Sequence, residues 1–179
     1  MHRRQFGLAL AMALAPWHAG SQEAPPEWAA AAGLQPQTRG RLTVWGFEVY
    51  DARLWTAPDF ELRNYPRTAF ALELQYLRAL SGPAIAERSL EEMRRLAPVA
   101  ADKATAWLDA MRRIFPDVAR GDRIVGVNLP GQGAEFWLNG RRIGRVPDPQ
   151  FAQLFLGIWL DERSSEPRLR AQLVQGLRP

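Results

Sequence analysis

Tyr50, Tyr76, Arg41 and Arg78 are the side chains through which this chain could do chemistry, because most other reactive types are missing. Both histidines, His2 and His18, fall in an N-terminal leader, and there is no cysteine. With the leader removed, zinc sites built on imidazole or thiolate, Ser-His-Asp and Cys-His nucleophilic catalysis, and any disulfide framework are excluded. What remains are scattered carboxylates, the tyrosines Tyr50, Tyr65 and Tyr76, the single lysine Lys103 and many arginines. This inventory asks for no metal and no cofactor. Arg78 closes an otherwise apolar strand face carrying Tyr76, so its guanidinium could stand at the mouth of a cleft and grip a carboxylate on an apolar body. The competing reading is that it snorkels over the rim. Arg41 and Tyr50 belong to an early strand pair and could face either way.

The leader reads as a cleaved signal peptide over about residues 1–22. Arg3 and Arg4 precede the apolar run Gly7 to Trp17, too short to span a bilayer as a finished helix. The secretory and twin-arginine routes both fit, and either puts the product in the periplasm; an uncleaved N-terminal anchor is the alternative. Removing Arg3 and Arg4 from 23 basic residues leaves 21 against 19 acidic ones, a net charge of about +2. The high isoelectric point therefore reflects arginine, which does not titrate, and is no argument for nucleic acid as a partner.

The elements that must position these residues announce themselves by turns and caps. Asn139-Gly140 predicts a two-residue hairpin joining Ala134–Leu138 to Arg141–Val146. Asp148-Pro149 predicts a helix start, and Phe151, Leu154, Phe155, Ile158 and Trp159 give that helix an apolar stripe for the core. Residues 23–39, with Pro25, Pro26 and Pro36, read as a mobile or loosely docked lead-in to one domain over 40–179. Leu42 to Trp55 reads as two strands or one long strand bent at Gly46. Thr68 to Leu80 reads as a strand with Phe70, Leu72, Leu74, Tyr76 and Arg78 on one face. Ser81-Gly82-Pro83 opens a helix to about Leu96, with Ile85, Ser89 or Leu90, Met93 and Leu96 inward. A second helix follows from about Ala100 to Phe115, and a last one carries Leu169, Leu173 and Leu177. Strands, two helices, three strands and two helices, with hairpin signals throughout, make an α+β fold with an antiparallel sheet.

Other signals have plain readings. Pro130-Gly131-Gln132-Gly133 joins two strands without the lysine and helix of a phosphate loop. Arg141, Arg142 and Arg145 suit an edge strand protected against pairing. Glu91 and Arg95 form an i,i+4 pair on a solvated helix face.

Taken together, GFEVYDARLW, FALELQYLRALSGPAIAERSLEEMRRL, IFPDVARGDRIVGVNLPGQGAEFWLNGRRIG and FAQLFLGIWL followed by SSEPRLRAQL resemble the chalcone isomerase-like family, in its bacterial exported branch, over about Gly40 to Val174. The resemblance implies an open-faced β-sandwich, a large antiparallel sheet with helices layered on one side and a ligand cleft between. Plant members close a chalcone into a flavanone, and other members bind fatty acids. The plant catalytic tyrosine and asparagine fall here on Ile85 and Glu92, the later threonine near Ile158, the early threonine near Tyr50, and the arginine on Arg39 or Arg41. Isoleucine offers no donor to a developing oxyanion.

Three readings follow. The first is an exported binding module for a small apolar ligand, fatty-acid- or polyphenol-like and acidic if Arg78 anchors it, held by Arg41, Tyr50, Tyr76 and Arg78. The second is an isomerase, an intramolecular lyase acting on a chalcone-like enone, with Arg41, Tyr50 or Arg78 as donors. The third is a non-enzymatic interaction protein whose cleft is filled by its own side chains.

Overall fold

A computed structural model describes residues 26–179, so the leader expected over residues 1–22 lies outside the described residues. Six antiparallel strands form one sheet in which spatial order repeats chain order. They are β1 (Gln35–Val44), β2 (Phe47–Thr56), β3 (Phe70–Tyr76), β4 (Arg123–Leu129), β5 (Gly133–Leu138) and β6 (Arg141–Val146). The helices are α1 (Glu27–Ala30), α2 (Gly82–Leu96), α3 (Ala101–Ile114), α4 (Pro149–Leu160) and α5 (Pro167–Val174). The α+β architecture, one open antiparallel sheet with helices layered on it, is the one expected.

Local chemistry sets the junctions. Asn139 and Gly140 have φ of 49° and 83°, both left-handed, as the tight β5–β6 turn requires. The Asp148 carboxylate caps α4 by accepting from the Gln150 and Phe151 amides, and Pro149 takes the first-turn position where no N–H is needed. Ser81 caps α2 through the Ala84 amide. Gly82 sits so close to the chain after α3 that a Cβ would lie 2.0 Å from the Phe115 carbonyl oxygen.

Four boundaries differ from the sequence reading, one of them at the end of the chain, where α5 stops at Val174 and leaves Leu177, expected on the last helix, beyond it. Gly46 is not a bulge in a long strand but the second residue of a hairpin turn, with Trp45 before it at φ 49°. Over residues 26–39 there is a helical turn followed by the first residues of β1, and Trp28 packs edge-on against Trp55 with ring centroids 5.0 Å apart. The third strand stops at Tyr76, where its backbone turns into the loop ahead of α2.

Pairing fixes the faces. Tyr50 lies opposite Tyr76, Ala52 opposite Leu74 and Leu54 opposite Leu72, and all six point to the helix side. The alternate positions, among them Trp55, Ala71, Val125, Val127 and Trp137, form a small second cluster on the outer face under Trp28. α4 is apolar almost all round and lies against β4 and β5 at the centre of the core. Phe115, Phe136, Phe151, Phe155 and Trp159 join it in an aromatic run with neighbouring centroids 5.0–6.2 Å apart. Such pairs contribute about 0.5–1.5 kcal/mol each beyond their burial. α5 covers β1 and β2, and α2 packs chiefly on α3 and α4.

Candidate functional site

Because α2 rests on helices more than on strands, a space opens between it and the middle of the sheet. This cavity has a volume of about 590 Å³, within the range of small-molecule sites. Leu72, Leu74, Ile124 and Phe136 line it from the strands, Ala84, Ile85 and Ser89 from α2, and Phe155, Leu156 and Ile158 from α4. Small residues on α2 and Gly126 on β4 leave the volume unfilled. Its mouth meets the β1–β2 turn, where Val44, Trp45 and Phe47 stand exposed, Trp45 almost completely at 95%.

A few polar groups meet in this apolar wall. The Trp159 indole N–H donates to the Tyr50 hydroxyl at 2.9 Å. Tyr76 stands edge-on to Tyr50, centroids 6.1 Å apart. Among the described residues neither phenol donates to an acceptor, so both O–H groups are available to a guest. Burial pushes both hydroxyls well above the ordinary phenol range; for Tyr50 the Trp159 hydrogen bond opposes the shift without cancelling it. Arg88 and Glu92, one helical turn apart on α2, form an ion pair at 2.5 Å, and the Arg95 guanidinium approaches the same carboxylate oxygen at 3.6 Å. Glu92 is buried, Arg88 is exposed toward solvent, and Glu166 adds a second carboxylate to the lining.

Of the four residues singled out in the sequence, the structure brings Tyr50 and Tyr76 together in the cavity and leaves the two arginines out. Arg41 pairs across the strands with Asp51 on the outer face, and its guanidinium binds Asp51 and Glu48. Arg39 shares that face. Arg78 lies past the end of β3, so strand alternation no longer governs its direction; it is exposed and stacks on the Phe47 ring at 5.8 Å. The arginine of the cavity is Arg88. Phe70, Leu90 and Met93, expected in the wall, pack in the core instead, Phe70 against Phe60 and Tyr65.

Arg88 escaped the sequence reading, and Glu92 entered it only through the resemblance, because charged residues at i,i+4 on a helix look alike whether solvated or buried. The surface pair expected between Glu91 and Arg95 does not form: Glu91 pairs with Arg88 at 3.5 Å, and Arg95 turns toward Glu92. The usable signal was spacing, since Ile85, Ser89 and Glu92 follow the helical period of one face.

The positions to which the resemblance assigns catalytic groups converge. Ile85, Glu92, Ile158 and Tyr50 all line the cavity, while Arg39 and Arg41 do not. The cavity can thus enclose an apolar body and offer it two hydroxyl donors and a carboxylate. The isoleucines and the outward arginines leave no dedicated set of donors for an enolate.

Comparison with known proteins agrees with this geometry. The family model described as chalcone isomerase-like matches residues 39–175. An uncharacterized protein of Haemophilus influenzae is 30% identical over 132 residues, which are 73% of this chain and 63% of that relative's length. The crystal structure of a fatty-acid binding protein of Arabidopsis thaliana is similar in fold, with a TM-score of 0.60 at 13% identity over 79% of this chain and 86% of that one.

Proposed function

The chain belongs to the chalcone isomerase-like family, and from that premise we propose that it is an exported, non-catalytic binding module that encloses a small apolar ligand between its sheet and the helices α2 and α4. The observation that carries this reading is the open cavity itself, about 590 Å³ of largely apolar wall with hydroxyls at one side. The fold shared with a plant fatty-acid binding protein supports a guest with an apolar chain or ring system. Each buried methylene of such a guest adds about 0.8 kcal/mol. Titration calorimetry with straight-chain amphiphiles of increasing length tests this: affinity rises with chain length until the cavity is full, and no binding at any length refutes it.

Isomerisation of a chalcone-like enone is the second reading, favoured by the Tyr50 and Tyr76 hydroxyls facing the cavity. Each tenfold of rate needs about 1.4 kcal/mol of transition-state stabilisation. Chalcone turnover within about tenfold of the spontaneous rate is expected, and acceleration of several thousandfold would make the protein an enzyme. Export rests on Arg3, Arg4 and the apolar run after them. Cell fractionation is expected to find a form trimmed near residue 22 in the periplasm; a full-length cytosolic form refutes it.

A further inference from the structure

Among the described residues, the polar side of the cavity offers a guest head group an acceptor it can reach, two donors, and no cation free of a carboxylate partner. Glu92 is 5% exposed, and neither of its oxygens accepts a hydrogen bond among the described residues; its Oε1 is held only by the ion pair to Arg88 and the longer approach of Arg95. Arg88 is thereby already committed. Glu166 lines the same wall with no cation within ion-pair distance among the described residues, while both guanidinia near the wall, Arg88 and the more distant Arg95, are drawn to Glu92. The other arginines that could have received an acid are elsewhere, Arg41 locked to Glu48 and Asp51 on the outer face and Arg78 outside on Phe47. Against this stand two phenol O–H groups, Tyr50 and Tyr76, with no acceptor of their own and buried enough to stay protonated.

We propose that this cavity selects an apolar alcohol over the carboxylic acid of the same chain, its hydroxyl donating to Glu92 and accepting from Tyr50 or Tyr76. The inference rests on the reading of the cavity as a ligand site. A hydroxyl has one proton and two lone pairs, which matches a carboxylate that accepts no hydrogen bond beside phenols that donate none. A carboxylate guest has only lone pairs and is repelled by Glu92 and Glu166, so it must first pull Arg88 off Glu92 and leave that buried acid with only the longer approach of Arg95. An ammonium would satisfy Glu92 but has no lone pair for the two phenols.

Calorimetry with 1-decanol, decanoic acid and decylamine at pH 8 decides it. The wild-type protein is expected to bind 1-decanol at least tenfold more tightly than decanoate or the amine. Glu92→Gln removes the charge and frees Arg88, so decanoate should gain about tenfold and the preference collapse. If Glu92→Gln does not fold, judged by its melting transition, Arg88→Gln serves: with the nearer cation gone, the alcohol-to-acid ratio must widen. Equal or tighter binding of decanoate or decylamine by the wild type, an unchanged ratio in Glu92→Gln, or a ratio in Arg88→Gln that stays the same or narrows overturns the proposal while leaving a ligand-binding cavity. Failure of all three probes to bind removes the ligand-binding reading and the proposal with it.

Discussion

Replacing Tyr50 by phenylalanine leaves the Trp159 indole N–H without its acceptor inside a largely apolar wall. A buried donor stripped of its partner costs about 1–3 kcal/mol, so Tyr50→Phe is expected to lower stability by that order in urea unfolding while the sheet is kept. Tyr76→Phe removes a hydroxyl with no protein partner and is expected to leave stability unchanged within about 0.5 kcal/mol, read in the same assay. The three tyrosines share a titration property. Burial raises Tyr65 to about 12, with Asp161 adding to the shift, and holds Tyr50 and Tyr76 higher still. A phenol raised in the folded state lends stability that is complete below its unfolded value, about 10, and is lost as pH rises through the folded value. Tyrosinate absorbance is therefore expected to stay below about a tenth of its full value at pH 11 while the protein is folded and to rise on adding denaturant. A tyrosinate signal from folded protein near pH 10 would contradict this burial. Trp45, at φ 49° and 95% exposed, pays the left-handed cost of a bulky residue with no packing in return. Trp45→Asn is expected to raise stability by about 1 kcal/mol, measured by the unfolding midpoint.

At the scale of elements, α4 depends on one carboxylate. Asp148 accepts from the Gln150 and Phe151 amides, from Lys103 Nζ at 3.1 Å and from the Trp107 indole at 3.1 Å, so it ties α3 and α4 together. Partial burial pushes its pKa up, but the hydrogen bonds from Lys103, Gln150, Trp107 and Phe151 outweigh it and hold the carboxyl below the usual range. A depressed carboxyl contributes above the unfolded value of about 4 and is lost as pH falls through the folded one. Asp148→Ala is expected to cost about 1–2 kcal/mol at pH 7 and much less near pH 2, by comparing unfolding midpoints at the two pH values. The Asp148-Pro149 cap, the Asn139-Gly140 turn and the Ser81-Gly82-Pro83 start were legible in the sequence because each is fixed by its own two or three residues. Trp45-Gly46 was not, since tryptophan is no turn former and only the pairing of Val44 with Phe47 forces the geometry. The facing of Arg41 was hidden for a related reason. β1 carries register shifts between Pro36 and Thr38 and between Leu42 and Thr43, so counting alternate residues along it loses phase. Tyr76 could be placed and Arg78 could not, because alternation has meaning only while the strand lasts. Glu92 acquires its burial from α4 and the sheet, which no window on α2 contains.

The whole molecule is a meander closed by its last helix. α5 lies on β1, where Thr38 donates to the Leu173 carbonyl at 2.5 Å and the Arg41 amide donates to the Gln172 side chain. Gly40 makes room for it, as a Cβ there would lie 2.6 Å from Leu169. A chain ended at Glu166 is expected to lose cooperative unfolding and to bind a hydrophobic dye, because the inner faces of β1 and β2 would be bare. Strands that neighbour each other in the sheet follow each other in the chain, although β3 and β4 are joined only through α2 and α3. The hairpins β1–β2, β4–β5 and β5–β6 close short turns at little cost in chain entropy, whereas β3–β4 must close over two helices. The Thr38–Leu173 contact is the opposite case from the hairpins, 135 residues apart in sequence. During synthesis or refolding, β1 therefore waits with an uncovered face until the α5 segment has emerged, and docking of α5 is expected to fall among the last steps. This interval is when the chain is most open to aggregation or to capture by a chaperone.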